Sequence, residues 1–129
     1  MLFRSAIDAA EAKAVAFNIK VNIAVVDAGG RLVASARMDG ATWSGVWGAQ
    51  GKAITSAAFG RPSGLLQERN NLPIMEGIRH AEGGNMIMHQ GAVPIFRDGA
   101  LIGAIGVGGG TSEQDEACAQ AGADRVAGK

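Results

Sequence analysis

Val21-Asn-Ile-Ala-Val-Val-Asp27-Ala-Gly-Gly30-Arg-Leu-Val-Ala-Ser-Ala-Arg37 is the stretch on which the fold turns. Two β-rich runs, Val21–Val26 and Arg31–Arg37, flank Asp27-Ala28-Gly29-Gly30, and a Gly-Gly turn between such runs predicts a β-hairpin. A tight hairpin joins antiparallel strands, whereas parallel neighbours need a crossover of a dozen residues or more. The sheet of this protein is therefore expected to be antiparallel.

Upstream, Phe3, Ile7, Ala10, Ala14 and Phe17 recur at spacings of three and four, which predicts an amphipathic helix over 3–17. Asn18 is the expected stop, since Asn tolerates a left-handed C-cap. Downstream, Met38–Thr42 reads as a loop and 43–59 as a second helix. One of its faces holds Trp43, Val46, Trp47, Ala53, Ile54, Ala57 and Ala58, and is expected to bury into the sheet. The other holds Gly45, Gly48, Ala49, Lys52, Thr55 and Ser56. Gly60-Arg61-Pro62-Ser63-Gly64 ends this helix, and 65–82 reads as short helical turns around Pro73.

Asn85–His89, Val93–Arg97 and Ala100–Val107 read as three more strands, the last two joined by Asp98-Gly99. A final helix over 112–127 has two capping-box spacings at its start, Ser112 with Asp115 and Thr111 with Gln114. The order predicts an α+β fold, an antiparallel sheet of about five strands flanked by helices. No linker, repeat or low-complexity tail divides 1–129, so one domain is expected.

Composition narrows the function classes. Lys plus Arg and Asp plus Glu are 12 each in 129 residues, without the basic excess of a nucleic-acid-binding chain. The longest uncharged stretch, Gly99 to Ser112, is 14 residues and Gly-rich, short of the ~20 apolar residues a membrane span requires. The N-terminus lacks the pattern of a signal peptide, and the single cysteine, Cys118, permits neither an intrachain disulfide nor a Cys-based cluster. A cytoplasmic location is expected, with no nucleic-acid or membrane partner. With 20 Gly, 24 Ala and six aromatic residues, close backbone approaches and a homo-oligomer, dimer or higher, are expected.

Gly103-Ala-Ile-Gly106-Val-Gly108-Gly109-Gly110-Thr111 fails both nucleotide fingerprints. Thr111 stands where the dinucleotide motif needs its third glycine, and no Lys follows as a phosphate loop requires. A Gly-rich turn feeding a helix N-terminus can either pack tightly or offer N–H groups to an anion, which makes Gly109, Gly110 and Thr111 candidate ligand contacts. Lys52, among small residues, is a candidate partner for a carboxylate or else a solvated lysine, and Arg61 is a second candidate anion contact. His80 and His89, with Met86 and Met88 nearby, are residue types that ligate haem iron. Asp27 and Asp39 beside glycines suit turn-forming carboxylates. Cys118, inside a helix, is a poor nucleophile.

Three segments, Ile23-Ala-Val-Val-Asp27-Ala-Gly-Gly-Arg-Leu-Val33, Arg37-Met-Asp-Gly-Ala41 and Lys52-Ala-Ile-Thr-Ser-Ala-Ala-Phe-Gly60-Arg-Pro62, resemble the GlcG/HbpS family. Val93 to Glu116 extends the resemblance, which covers about residues 5–126. It implies a profilin-like fold, homo-oligomers and, in some members, haem binding or haem degradation. The chain departs from the family pattern in Gly91-Ala92 before Val93-Pro94-Ile95, in Gly108 where a serine is common, and in having no histidine in its first helix.

Two readings of function follow. In the first the protein binds or degrades haem, with Thr111, His80 or His89 near the iron and Lys52 or Arg61 pairing with propionates. In the second it is a catabolic enzyme acting on a small unsaturated or hydroxylated organic acid. There the Gly-rich turn would hold the carboxylate, and Lys52, Glu113 and Asp39 would be the acid/base groups.

Overall fold

The computed structural model describes residues 2–127. The chain runs α1 (Leu2–Phe17), β1 (Asn22–Asp27), β2 (Leu32–Arg37), α2 (Gly45–Phe59), a 3-10 segment (Ser63–Arg69), α3 (Pro73–Ala81), β3 (Ala92–Arg97), β4 (Ala100–Gly108) and α4 (Ser112–Val126). The four strands form one antiparallel sheet in the order β2-β1-β4-β3. The hairpin is present: the Asp27 carboxylate accepts the N–H groups of Gly29 and Arg31 at 2.9 and 3.0 Å, which fixes the turn. The second hairpin turns at Asp98 (φ 53°) and Gly99 (φ 79°), the left-handed pair that a tight two-residue connection demands. Asn18 (φ 59°) follows the last residue of α1 in the same conformation.

Alternation along each strand sorts the two cores. Ile23, Val25, Val93, Ile95, Ile105 and Val107 pack with Ala6, Ala10 and Ala14 of α1 and Cys118, Ala119 and Ala123 of α4. Val26 and Ala104 point the other way and pack with Ala53, Ile54 and Ala57 of α2, Leu66, and Met75, Met86 and Met88. The sheet is thus sandwiched between α1/α4 and α2/α3.

Two expectations are corrected. Asn85–His89 is not a strand, so the sheet has four strands rather than five. This stretch runs along α2 instead: the Ile87 N–H donates to the Gly51 carbonyl at 3.0 Å, and the Ile87 carbonyl accepts from the Thr55 hydroxyl at 2.7 Å. Helix groups thereby satisfy Ile87, and sheet partners are not needed.

The second correction concerns the expected sheet-facing side of α2. Ala53, Ile54 and Ala57 bury as expected, but Trp47 and, just before the helix, Trp43 are 61% and 69% exposed, while Ala49, Lys52, Thr55 and Ser56 of the small-residue face are buried. Gly106 is the cause. A methyl at that position would collide with the Ala49 carbonyl and the Ala53 amide, so β4 and α2 approach at backbone distance. Only Gly, Ala and Ser side chains fit such a crossing; an indole does not.

Candidate functional site

Lys52 leaves α2 on the sheet-facing side and is buried, 5% exposed. Its path is open because β4 ends in Gly108 and Gly91 immediately precedes β3. A methyl at Gly91 would lie 2.5 Å from Lys52 Nζ, and one at Gly108 would lie 3.6 Å away. Through this notch the side chain passes the end of the sheet to the opposite helical layer. There Nζ stands 3.5 Å from Oδ2 of Asp115, a residue of α4 that is 4% exposed. Burial pushes the Lys52 ammonium below the ordinary lysine value, opposed by the charge and hydrogen bond of Asp115.

Asp115 also organises the Gly-rich turn. Its Oδ1 accepts the Gly110 N–H at 2.8 Å. Thr111 and Gln114 form the capping box: the Thr111 hydroxyl accepts the Gln114 N–H at 3.1 Å, and the Gln114 side-chain oxygen accepts the Thr111 N–H at 3.0 Å. The Ser112/Asp115 spacing does not form one. Gly109 (φ 138°) sits against the Lys20 carbonyl with no room for a side chain. The N–H groups that the sequence offered to an anion are thus partly taken by the chain itself. Asp115 and Glu113, both in the first turn of α4, complement the positive end of the helix dipole.

His89 is exposed at the rim, its Nε2 3.1 Å from the Ser112 hydroxyl. Beside it the Gln90 amide donates to Glu116 at 3.3 Å, and the Gln90 N–H donates to the Gln67 side chain at 3.1 Å. The Ser63 hydroxyl accepts the Ala92 N–H at 3.0 Å and so covers the start of edge strand β3. Of the candidates, Lys52, Gly109, Gly110, Thr111 and His89 therefore gather at one end of the sheet.

The other candidates lie elsewhere. His80 is exposed in the last turn of α3, and Arg61 is exposed just after α2. Glu113 faces solvent. Asp39 is exposed in the loop after β2, on a groove lined by Arg37, Met38 and Trp43. Met86 and Met88 are core residues, 4% exposed each. Cys118 is buried, and burial, with the Asp115 charge adding, pushes its thiol up to about 11. Among the described residues no three His, Cys, Asp or Glu side chains converge as a metal cluster, and no helix is long and apolar enough to cross a membrane.

The sequence gives neither Asp115 nor Gly91 a role in the site: Gly91 stands out there only as a departure from the family pattern. Asp115 reads there as a capping residue, and nothing local reveals that a lysine 63 positions earlier reaches it.

The family model described as haem degrading protein HbpS-like matches residues 2–124. An uncharacterized 15.0 kDa protein in the dhaT-dhaS intergenic region of Citrobacter freundii is 31% identical over 117 residues, covering 90% of this chain and 82% of the relative. Among solved structures, Klebsiella pneumoniae protein ORFY is 28% identical with a TM-score of 0.87, over 97% of this chain and 87% of that one. A PduOC:heme complex is 26% identical with a TM-score of 0.85, over 99% and 96%. A double mutant of Streptomyces reticuli HbpS is 28% identical with a TM-score of 0.82, over 95% and 82%.

Proposed function

The chain belongs to the haem-degrading HbpS-like family, and we propose on that premise that it binds haem, with His89 as the residue that would hold the iron. The observation that carries the reading is the exposed His89 imidazole beside the Ser112 hydroxyl, 3.1 Å from Nε2. The Ser112 hydroxyl holds the exposed ring at the rim, and Nε2 would exchange this hydrogen bond for the iron. The donor set fits the group: one exposed imidazole, a glycine at Gly109 that is exposed and side-chain-free, and Thr111 exposed at the rim. Bound haem supplies an iron centre for ligand binding and redox chemistry.

His89 would hold the iron, and Gly109, Gly110 and Thr111 would line the approach. His80, on α3, is the weaker of the two histidine candidates because no hydrogen-bond partner orients its ring among the described residues. Haem turnover is the finer part of the proposal, in keeping with the family's description; bleaching of the Soret band under reductant and oxygen tests it. The protein is further proposed to work as a homo-oligomer. Trp43, Trp47, Leu65 and Ile74 are each more than 60% exposed, large apolar side chains of the kind a second copy would cover.

The organic-acid reading draws less support, because Asp115 already pairs with Lys52 and already accepts the Gly110 N–H. Haem titration decides between them. A shifted Soret band saturating at one haem per chain is expected for the wild type, lost in His89→Ala and kept in His80→Ala. No shift at micromolar haem removes the reading; a shift unchanged in His89→Ala removes His89 from it.

A further inference from the structure

The strand order β2-β1-β4-β3 leaves the sheet two edges, and the chain treats them differently. At β3 the Val107 N–H donates to the Gly91 carbonyl at 2.9 Å. By alternation Val93 and Ile95 bond inward to β4, while Ala92 and Pro94 present their backbone outward. Both outward positions are closed. The Ser63 hydroxyl accepts the Ala92 N–H at 3.0 Å, and Pro94 has no N–H to offer. β3 is thereby blunted against strand addition.

β2 carries no such guard. The Met38 N–H donates to the Val21 carbonyl at 3.0 Å, which sets the alternation of the ladder. Ala34 and Ala36 bond inward to β1, and Ser35 and Arg37 turn their N–H and C=O groups away from it. Among the described residues no backbone group bonds to this outer side. Leu32, Val33, Ser35 and Arg37 are exposed, and the strand holds no proline or lysine. Its bulge falls at Val33, which leaves Ala34 to Arg37 in regular register.

The residues of this edge suit a second copy of the same strand. With a two-fold axis at Ser35, the two Ser35 residues exchange both backbone bonds, and Ala34 of each copy faces Ala36 of the other. Side chains this small let the backbones close to strand distance. Charge selects the register. Exposed Arg31, just before β2, comes to exposed Asp39 of the second copy, just after it, and symmetry makes the pair twice. Moving the axis to Ala36 loses those pairs and makes the two Arg37 side chains diagonal neighbours.

We propose that β2 is the edge through which two copies of this chain associate. The strands pair antiparallel about Ser35 and join two four-stranded sheets into one continuous sheet. This inference rests on the homo-oligomer reading and adds to it the strand, the register and the charge pair.

Sedimentation and amide hydrogen exchange on the full chain test it. The wild type is expected to assemble in even multiples, with the Ser35 and Arg37 amides protected and their protection lost on dilution. Ser35→Pro removes an outward N–H where an edge strand tolerates proline, and is expected to halve the assembly mass with unchanged circular dichroism. Asp39→Arg is expected to weaken association at least about tenfold, one step of ~1.4 kcal/mol, and Arg31→Asp/Asp39→Arg to restore it. If Ser35→Pro does not fold, the charge variants and the two amides decide. Full assembly mass in a folded Ser35→Pro, or unprotected Ser35 and Arg37 amides in an assembled wild type, places the interface elsewhere and leaves the oligomer reading standing. A monomeric wild type at micromolar concentration ends both. A charge-swapped double variant no tighter than Asp39→Arg overturns the register.

Discussion

Lys52 on α2 and Asp115 on α4 meet 3.5 Å apart at the end of the sheet, one from each helical layer, both almost wholly buried. The pair is the polar link between two otherwise separate apolar cores. Removing one member leaves the other charged and without its counter-ion in a poorly hydrated place. Lys52→Met is therefore expected to cost about 3–5 kcal/mol, and Lys52→Met/Asp115→Asn distinctly less. Urea unfolding of both variants measures the difference; equal losses would show that the two charges do not interact.

The same lysine predicts a pH dependence. Its folded-state value lies below the ordinary 10.5, so between the two values the unfolded chain binds more protons than the folded one. The Lys52 contribution to stability should then rise as pH climbs from the folded-state value to 10.5 and stay level, at its least favourable, below the folded-state value. Asp115→Asn removes the opposing charge and should push Lys52 further down. Comparing melting curves of wild type and the double variant between pH 7 and about 10 isolates this slope; a wild-type advantage that shrinks with rising pH contradicts it.

Cys118 works in the opposite direction. Its thiol is raised from 9.0 to about 11 in the fold. Stability from keeping it neutral is complete below pH 9.0 and lost as pH rises through about 11. At pH 8 the thiol should react with a disulfide reagent only in denaturant, since it is both buried and protonated. Rapid labelling of native protein would show that α4 opens readily.

Glycines separate into those the packing needs and those it does not. Gly106→Ala drives a methyl into the Ala49 carbonyl and should cost about 1–3 kcal/mol through overpacking. Gly77→Ala in α3 meets nothing within 4 Å and should stabilise by about 0.5–1 kcal/mol through helix propensity. Thermal denaturation of the two variants tests both signs.

Thr111→Ala removes the hydroxyl that accepts the Gln114 N–H and should cost about 1 kcal/mol. Thr111→Ser keeps the capping box and should melt close to wild type. If both variants lose haem affinity alike while only the first loses stability, Thr111 contributes to the ligand as well as to the cap.

By itself the sequence determined what depends on neighbours along the chain. Periodicity placed α1, Gly-Gly and Asp98-Gly99 placed the two hairpins, and Thr111 with Gln114 marked the start of α4. Each signal is local, because turns and caps are settled within four residues. The same signals brought Lys52, the Gly109–Thr111 turn and His89 into view as separate candidates. Tertiary structure alone decided how they meet. An apolar stripe does not say how much of it the sheet covers, so Trp43 and Trp47 read as buried with Ala53, Ile54 and Ala57, whereas the close backbone contact at Gly106 leaves the two indoles outside. An extended run does not say what satisfies it, so Asn85–His89 looked like a strand until Gly51 and Thr55 supplied its partners. Asp115 gained its role because Gly91 and Gly108 leave a gap at the sheet end, and only the assembled layers bring Lys52 through that gap.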